Sequence, residues 1–596
     1  MRRVLLLLAV AGAVSAQTPD REALVKRIQA GLTGAFPPVE AKPNPAIPHG
    51  EFIQGQISNS AIYPGTENSF QVYVPAQYDP SHSACLLVKL DGLGAFEGTV
   101  LDSLIASKEV PVIIGVGITP GTIWKDPAGT PQRAAYRFNR SYEFDSMNGR
   151  FPDFVLNEIL PAVQKLITKD GRPVKISPNG NDHAATGGST GGIGSFSLAW
   201  NRPDQFTRVY SIIGTFVSMR GGNEYPVLVR KTDPKPIRIF LEDGATDSWN
   251  PIFGSWFDAN LNMESALTFA GYDVAHAWGD HGHNGRAGQT VFPDVMRWLW
   301  AGYPAPVQLG ISKNSTLEEI SIPGQGWNKF ENASGTALAS NAKGEIFVGD
   351  GNTILRIGAD GKPVRFHSGK TPVAAQAFGP DGTLYAAVPA EKKVIAIDAQ
   401  VRARTIAEGI AARGIVVKPD GAIYITEPGQ HGDMPSRVWR IDGSKKTRVD
   451  EGPLSASGVA FAPDGSLFYV AEKTTKWIYT YVVRPDGSLT DKQPYFWLHM
   501  TDVPNDSGAE DLALDIHGNL YVATRMGIQV CDQNGRVRAI LPLPTPSGPV
   551  LSLAFGGEHF DTLYATDGMQ LFARKLKVPG YPQFSKPVKV TSHGAG

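Results

Sequence analysis

Residues 184–192 read Ala-Ala-Thr-Gly-Gly-Ser-Thr-Gly-Gly, one serine among four glycines. Glycine loses more backbone freedom on folding than any other residue. Such density therefore signals a positive φ or backbone packed closely against backbone. A Gly/Ser linker would also use these residues, but the flanks decide against it. An apolar run, HAAT, precedes the glycines, and a helical pattern, GGIGSFSLAW, follows and stops near Pro203. Strand, sharp turn and helix make the setting of a nucleophile elbow, and residues 187–191 fit G-x-S-x-G. Ser189 is therefore the candidate nucleophile. The first amides of the next helix, Thr190 foremost, are candidate oxyanion donors.

Outward from the elbow, apolar strands alternate with helical segments. CLLVKLDG (85–92) and VPVIIGVGI (110–118) read as buried strands. So do FTRVYSIIG, PIRIFLEDG and YDVAHAWG further on. Helical patterns occupy TVLDSLIAS, FPDFVLNEILPAVQKLI, NLNMESALTFAG and DVMRWLWAG. FIQGQISNSAI and NSFQVYVPAQY read as an antiparallel pair at the start. Alternation of this kind predicts a mostly parallel sheet covered on both faces, a three-layer α/β/α sandwich of the α/β-hydrolase type over residues 48–303.

Beyond residue 309 the pattern changes. NAKGEIFVGD, PDGTLYAAV, PDGAIYITE, PDGSLFYVAE and IHGNLYVATR repeat a turn followed by an alternating strand, and GEHFDTLYATD is a weaker sixth copy. Short strands recurring at this period predict a six-bladed β-propeller over 310–575, joined by a linker at 304–309 and followed by a tail at 576–596. The chain is thus read as multidomain. Its 596 residues exceed one ordinary domain.

MRRVLLLLAVAGAVSA (1–16) has a basic start, an apolar run too short to span a bilayer, and small residues before Gln17. This is the pattern of a cleaved secretory leader, which predicts a secreted or periplasmic protein. Residues 17–47 read as an extension with one short helix. A net charge of −1 without Lys/Arg clusters excludes a nucleic-acid surface. The two cysteines, Cys85 and Cys531, lie in strand-like contexts and read as buried thiols.

A serine needs a base, and the base an orienting acid. Asp247, on the loop after PIRIFLEDG, is preferred as the acid over Asp243, which ends that strand. The loop DHGHNG holds His281 and His283. Its position before Asn284-Gly285 favours His283 as the base, with His281 lining the pocket. The second oxyanion donor is sought after the strand ending at Leu90, at the Leu93 amide, with Gly92 as the alternative. Trp124, Trp249, Trp256 and Trp278 lie on or near strand-end loops and suggest a pocket for a planar or sugar-like group. Arg140 could meet a substrate carboxylate or pair with Glu143 and Asp145.

At these residues the chain resembles the esterase family of α/β hydrolases that includes enterochelin, feruloyl and acetyl-xylan esterases. The resemblance rests on KLDG, VIIGVGI, RSYEFDSMNGRFPDFVLNEILPAV, GGSTGGIGSFSLAWNRPDQFTRVYSIIGTF, FLEDGATD and FAGYDVAHAWGDHGHNGRAG. It implies a serine carboxylesterase using Ser189, Asp247 and His283, with no cofactor and a small-molecule or polysaccharide ester as substrate. It also strengthens the choice of His283.

The repeats resemble the gluconolactonase/regucalcin family, whose tunnel holds a divalent metal, often calcium. Here that family's ligand motifs read Ser334-Gly335-Thr336-Ala337-Leu338, Ala412-Arg413-Gly414 and Ala456-Ser457-Gly458. The last one, from Ala509 to Asp515, keeps acids. Glu331, Glu510 and Asp511 are what remains for a calcium site, so the resemblance implies a propeller whose lactonase site is lost or rebuilt. Three functions compete: ester hydrolysis at Ser189 on a carbohydrate or siderophore ester, metal-dependent lactone hydrolysis in the propeller, and glycan binding without turnover.

Overall fold

Eight of the runs pair into one sheet, whose central strands bury consecutive residues and so are covered on both faces. The computed structural model describes residues 20–34, 36, 42–124, 136–358, 360–429, 434–452, 455–502, 504, 506–544 and 548–590, without the side chains of Trp124 and Tyr136. The expected leader lies outside the described residues. The chain divides into two compact units, Met1–Pro226 with Lys235–Thr268 and Tyr272–Gly310, and Val227–Pro234 with Phe269–Gly271 and Ile311–Gly596.

In the first unit the strands are β1 (Glu51–Ile57), β2 (Asn68–Val74), β3 (Cys85–Leu90), β4 (Ile113–Ile118), β5 (His183–Gly188), β6 (Arg208–Ile212), β7 (Arg238–Gly244) and β8 (Asp273–Gly279). Their spatial order is β1-β2-β4-β3-β5-β6-β7-β8. The β1–β2 and β2–β4 pairings are antiparallel and all later ones parallel. Strand order reverses around β3, which makes the carboxyl ends of β3 and β5 the switch point at which sheets of this kind place ligands. Register sets Gly188 opposite Ile212 and Gly244 opposite Gly279, which brings the loops after β5, β7 and β8 to one edge.

Helices α1 (Arg21–Gly31), α2 (Ala95–Ala106), α3 (Thr190–Asn201), α4 (Trp256–Phe269) and α5 (Gly285–Trp300) clothe the sheet. Asp20 caps α1 by accepting from the Glu22 and Ala23 amides. Leu24 and Ile28 of α1, Leu101 and Leu104 of α2, and Val291 and Val295 of α5 share one core cluster with Leu87 and Phe240. The N-terminal helix is thus part of this core. On α3, Phe196 and Trp200 pack with Phe216 and Tyr225 in an aromatic cluster.

The second unit contains six four-stranded antiparallel sheets, the six blades expected from the repeats. Their inner strands, Ala337–Ser340, Ala375–Phe378, Gly414–Val417, Ala456–Phe461, Leu512–Leu514 and Ser552–Gly556, neighbour one another in a ring. The repeated turn has a backbone cause. Gly344, Gly382, Gly421, Gly465 and Gly518 all sit at φ between 73° and 86°, where a side chain is strained. The last blade is closed by Asn328–Phe330 pairing with Leu571–Lys575.

The tail is also packed. Tyr581 donates its amide to Leu514 O, and the Gln583 side chain bonds both backbone groups of Phe461. Cys85 and Cys531 are buried free thiols. Among the described residues no helix is long and apolar enough to cross a membrane.

Candidate active site

Ser189 sits between β5 and α3 at φ 58°, ψ −120°, a conformation that non-glycine residues rarely adopt. Two of the glycines around it are required for steric reasons. A Cβ on Gly187 would meet Gly191 O at 2.6 Å, and one on Gly192 would meet Gly214 Cα at 2.9 Å. Gly188, by contrast, faces open space. The turn is fixed by the Ser189 amide donating to Ile212 O at 2.9 Å and by the Thr215 amide donating to Ser189 O at 3.2 Å.

Three loops meet here. His283 Nε2 lies 2.8 Å from Ser189 Oγ, and His283 Nδ1 lies 2.7 Å from Asp247 Oδ1. The Asp247 carboxylate is wholly buried, while the imidazole is about one-third exposed at 31%. Burial pushes the Asp247 carboxyl up, but hydrogen bonds from His283, Asp243 and the Ser248 amide outweigh it and hold the group below the ordinary carboxylate range. Between the two aspartates, then, it is Asp247 that meets the imidazole. Asp243 stays behind it, accepting from the Gly244 amide and from Asn260 Nδ2, both at 2.7 Å.

The Thr190 amide begins α3 and has no intrahelical partner, as helix geometry requires. Leu93 is buried, and its amide donates to Gln71 Oε1 at 3.3 Å rather than standing open. The Gly92 amide, at φ 88°, donates to Ile118 O at 3.1 Å and is committed to the sheet.

Several expected pocket residues have other positions. His281 is buried, with Nε2 2.7 Å from Glu242 Oε1 and Nδ1 bonded to Gly282 O, so it supports the loop from beneath and lines no pocket. Trp256 is also buried. Its ring edge meets His283 at 5.9 Å between centroids, and Nε1 donates to Thr215 Oγ1 at 3.3 Å, so it packs against that imidazole. Trp278 stacks on His276 at 4.7 Å. Trp249, in contrast, is 71% exposed on the loop after Asp247. The Trp124 side chain lies outside the described residues.

Arg140 pairs with neither Glu143 nor Asp145. Its guanidinium grips Asp91 at 2.6 and 2.7 Å and donates to Gly188 O at 3.2 Å, tying the loop after β3 to the elbow. Glu143 is instead buried among Asn68, Asn139 and the Gly121 amide. Sequence reasoning missed Thr215, whose Oγ1 lies 3.3 Å from Ser189 Oγ. The only signal for it was its place directly after the glycine that ends SIIG.

In the propeller, Glu510 is gripped by Arg413 at 2.9 Å and by Lys473. Asp511 accepts from Ser552 Oγ, the Leu553 amide and the Leu512 amide, and burial pushes it up to about 6. Glu331 is exposed. Among the described residues no group of three or more His, Cys, Asp or Glu could hold a metal ion. These residues do not fit a calcium site, because Glu510 and Asp511 already have cationic, hydroxyl or amide partners and Glu331 stands apart, exposed.

Comparison with known proteins divides the chain in the same way. Residues 61–285 match the family described as "Putative esterase", and residues 350–568 match the SMP-30/Gluconolactonase/LRE-like region. Among solved structures, a gluconolactonase from Xanthomonas campestris is 20% identical over 42% of this chain and 88% of its own, with a TM-score of 0.37. A ferulic acid esterase is 17% identical over 42% of this chain and 99% of its own, with a TM-score of 0.32. The enterobactin esterase of Shigella flexneri is 20% identical over 45% of this chain and 63% of its own, also at 0.32. No curated protein matches.

Proposed function

We propose that this protein is a serine carboxylic-ester hydrolase acting on feruloyl or acetyl esters of carbohydrates, exported by the leader at residues 1–16. The observation that carries the reading is the unbroken chain from Ser189 Oγ through His283 to Asp247, at 2.8 and 2.7 Å. In this mechanism Ser189 Oγ attacks the acyl carbon while His283 Nε2 accepts the hydroxyl proton. Asp247 holds the imidazole by Nδ1 and stabilises its charged form. The Thr190 amide, on the first turn of α3, receives the developing oxyanion. Leu93 supplies the second donor by exchanging its long bond to Gln71 for the anion. The tetrahedral intermediate then collapses, His283 gives its proton to the leaving alcohol oxygen, and Ser189 is left acylated. Water, deprotonated by His283, attacks the acyl carbon. The carboxylic acid leaves and Ser189 regains its proton.

The exposed Trp249 and Ile252, just after the acid, support an aromatic or sugar ring as the bound group. Hydrolysis of a panel of feruloyl, acetyl and catecholate-siderophore esters by wild type and Ser189→Ala tests the reading. A loss of about 10⁴-fold or more in the variant is expected. Equal turnover by the two proteins would refute it.

A further inference from the structure

Asp243 lies one residue before the end of β7 and its carboxyl is fully buried. The donors around it are neutral: the Gly244 amide to Oδ1 and Asn260 Nδ2 to Oδ2, each at 2.7 Å. Asn260 is itself buried and anchored to Gly214 O at 2.8 Å and Trp256 O at 3.1 Å, so it cannot follow a moving carboxylate. The third neighbour is another carboxyl, Asp247, whose charge acts on Asp243 and raises it. On the far side of Asp247 lies His283. Glu242, the preceding residue of β7, is paired with His281.

Two carboxylates in buried contact do not both ionise, and the proton goes to the one with the weaker donors. Asp247 has the imidazole and the Ser248 amide on Oδ1. Its other oxygen, Oδ2, is buried and lacks a partner unless a neighbouring carboxyl supplies a hydrogen. Such an orphan is rare in a native core.

We infer that Asp243 is a positioning acid that keeps its proton and donates it to Asp247 Oδ2, extending the relay to Asp243–Asp247–His283–Ser189. This rests on the serine-hydrolase reading. Burial, with the charge of Asp247 beside it, pushes Asp243 up to about 9. The device therefore holds across the neutral range and fails above it. Once Asp243 ionises, the hydrogen bond is lost, the two charges repel, and the imidazole loses its fixed orientation.

The test uses the full chain and a fluorophosphonate probe, whose rate of attack on Ser189 is followed from pH 6 to 10 in wild type, Asp243→Asn, Asp243→Leu and Ser189→Ala. Thermal melts confirm folding of each. An asparagine amide still donates to Asp247, so Asp243→Asn should stay within about ten-fold of wild type at pH 7.5. It should also remain flat above pH 9, where wild type declines. Leucine cannot donate, and a further loss of about 10- to 100-fold is expected. Wild type and Asp243→Asn sharing one alkaline profile, with Ser189→Ala inert, would overturn this inference alone. Labelling of Ser189→Ala at the wild-type rate would overturn the hydrolase reading and this inference with it.

Discussion

Asp247 and Glu510 are both nearly buried carboxylates placed beside a strand end, one in each unit, and their partners set them apart. Asp247 faces His283, an imidazole that can take and release a proton and whose other nitrogen reaches a serine hydroxyl. Glu510 faces two basic side chains, Arg413 and Lys473. Under the proposed function the first arrangement passes a proton along. The second is a closed ion cluster that neither moves a proton nor leaves oxygens for a cation. Burial of an acid is therefore common to both units, and what differs is whether its partner is an imidazole joined to a hydroxyl or a pair of basic side chains.

The widest separation is expected from deleting the working groups. Asp247→Asn should lower kcat about 10⁴-fold, because the imidazole loses its orientation and tautomer. Glu510→Gln should leave ester turnover within two-fold. An equal loss in both variants would erase the contrast, and steady-state rates on an aryl ester decide it.

A smaller effect is expected from the elbow glycines. Gly192→Ala drives a Cβ to 2.9 Å from Gly214 Cα and should cost about 1–3 kcal/mol of stability. Gly421→Ala, at φ 86° with open space around it, should cost about 1 kcal/mol from strain alone. Denaturant melts of the two variants measure this difference between a crowded turn and a merely left-handed one.

The pH dependence of stability sharpens the contrast further. Asp243 keeps in the folded chain a proton that the unfolded chain releases above about pH 4. Its contribution to stability is thus full below that pH, is lost progressively as pH rises, and levels off above about 9. Asp243→Asn removes this slope. Calorimetric midpoints of the variant should gain on wild type between pH 5 and 9, and parallel curves would contradict the assignment.

The smallest change is expected at the rim. Trp249→Ala should raise KM for feruloyl esters by about three- to ten-fold with kcat preserved, as loss of one exposed aromatic contact implies. A chelator should leave turnover unchanged, since the proposed chemistry uses no metal.

Much of this was legible before any coordinates. The glycine-framed Ser189 lies between an apolar strand and a helical run, and both the period-two strands and the repeated turn glycines announce their backbone geometry locally. Arg140 and His281 show where such reading stops. Arg140 had two acids nearby in sequence, yet its partner is Asp91, forty-nine residues away. His281 shares a loop with His283 but turns inward to Glu242, a partner thirty-nine residues earlier in the chain that nothing in the loop itself announces. Leu93 was chosen for its loop, and nothing local revealed that Gln71 on β2 would reach its amide.

By itself the sequence determined the two architectures, the six blades and the nucleophile elbow, since periodicity and glycine placement are properties of neighbouring residues. Only the tertiary structure decided which aspartate meets the imidazole, what Arg140 holds, and that the acids left in the propeller are already satisfied. Those outcomes depend on strand register and on side chains brought together from distant segments, and no local pattern encodes either.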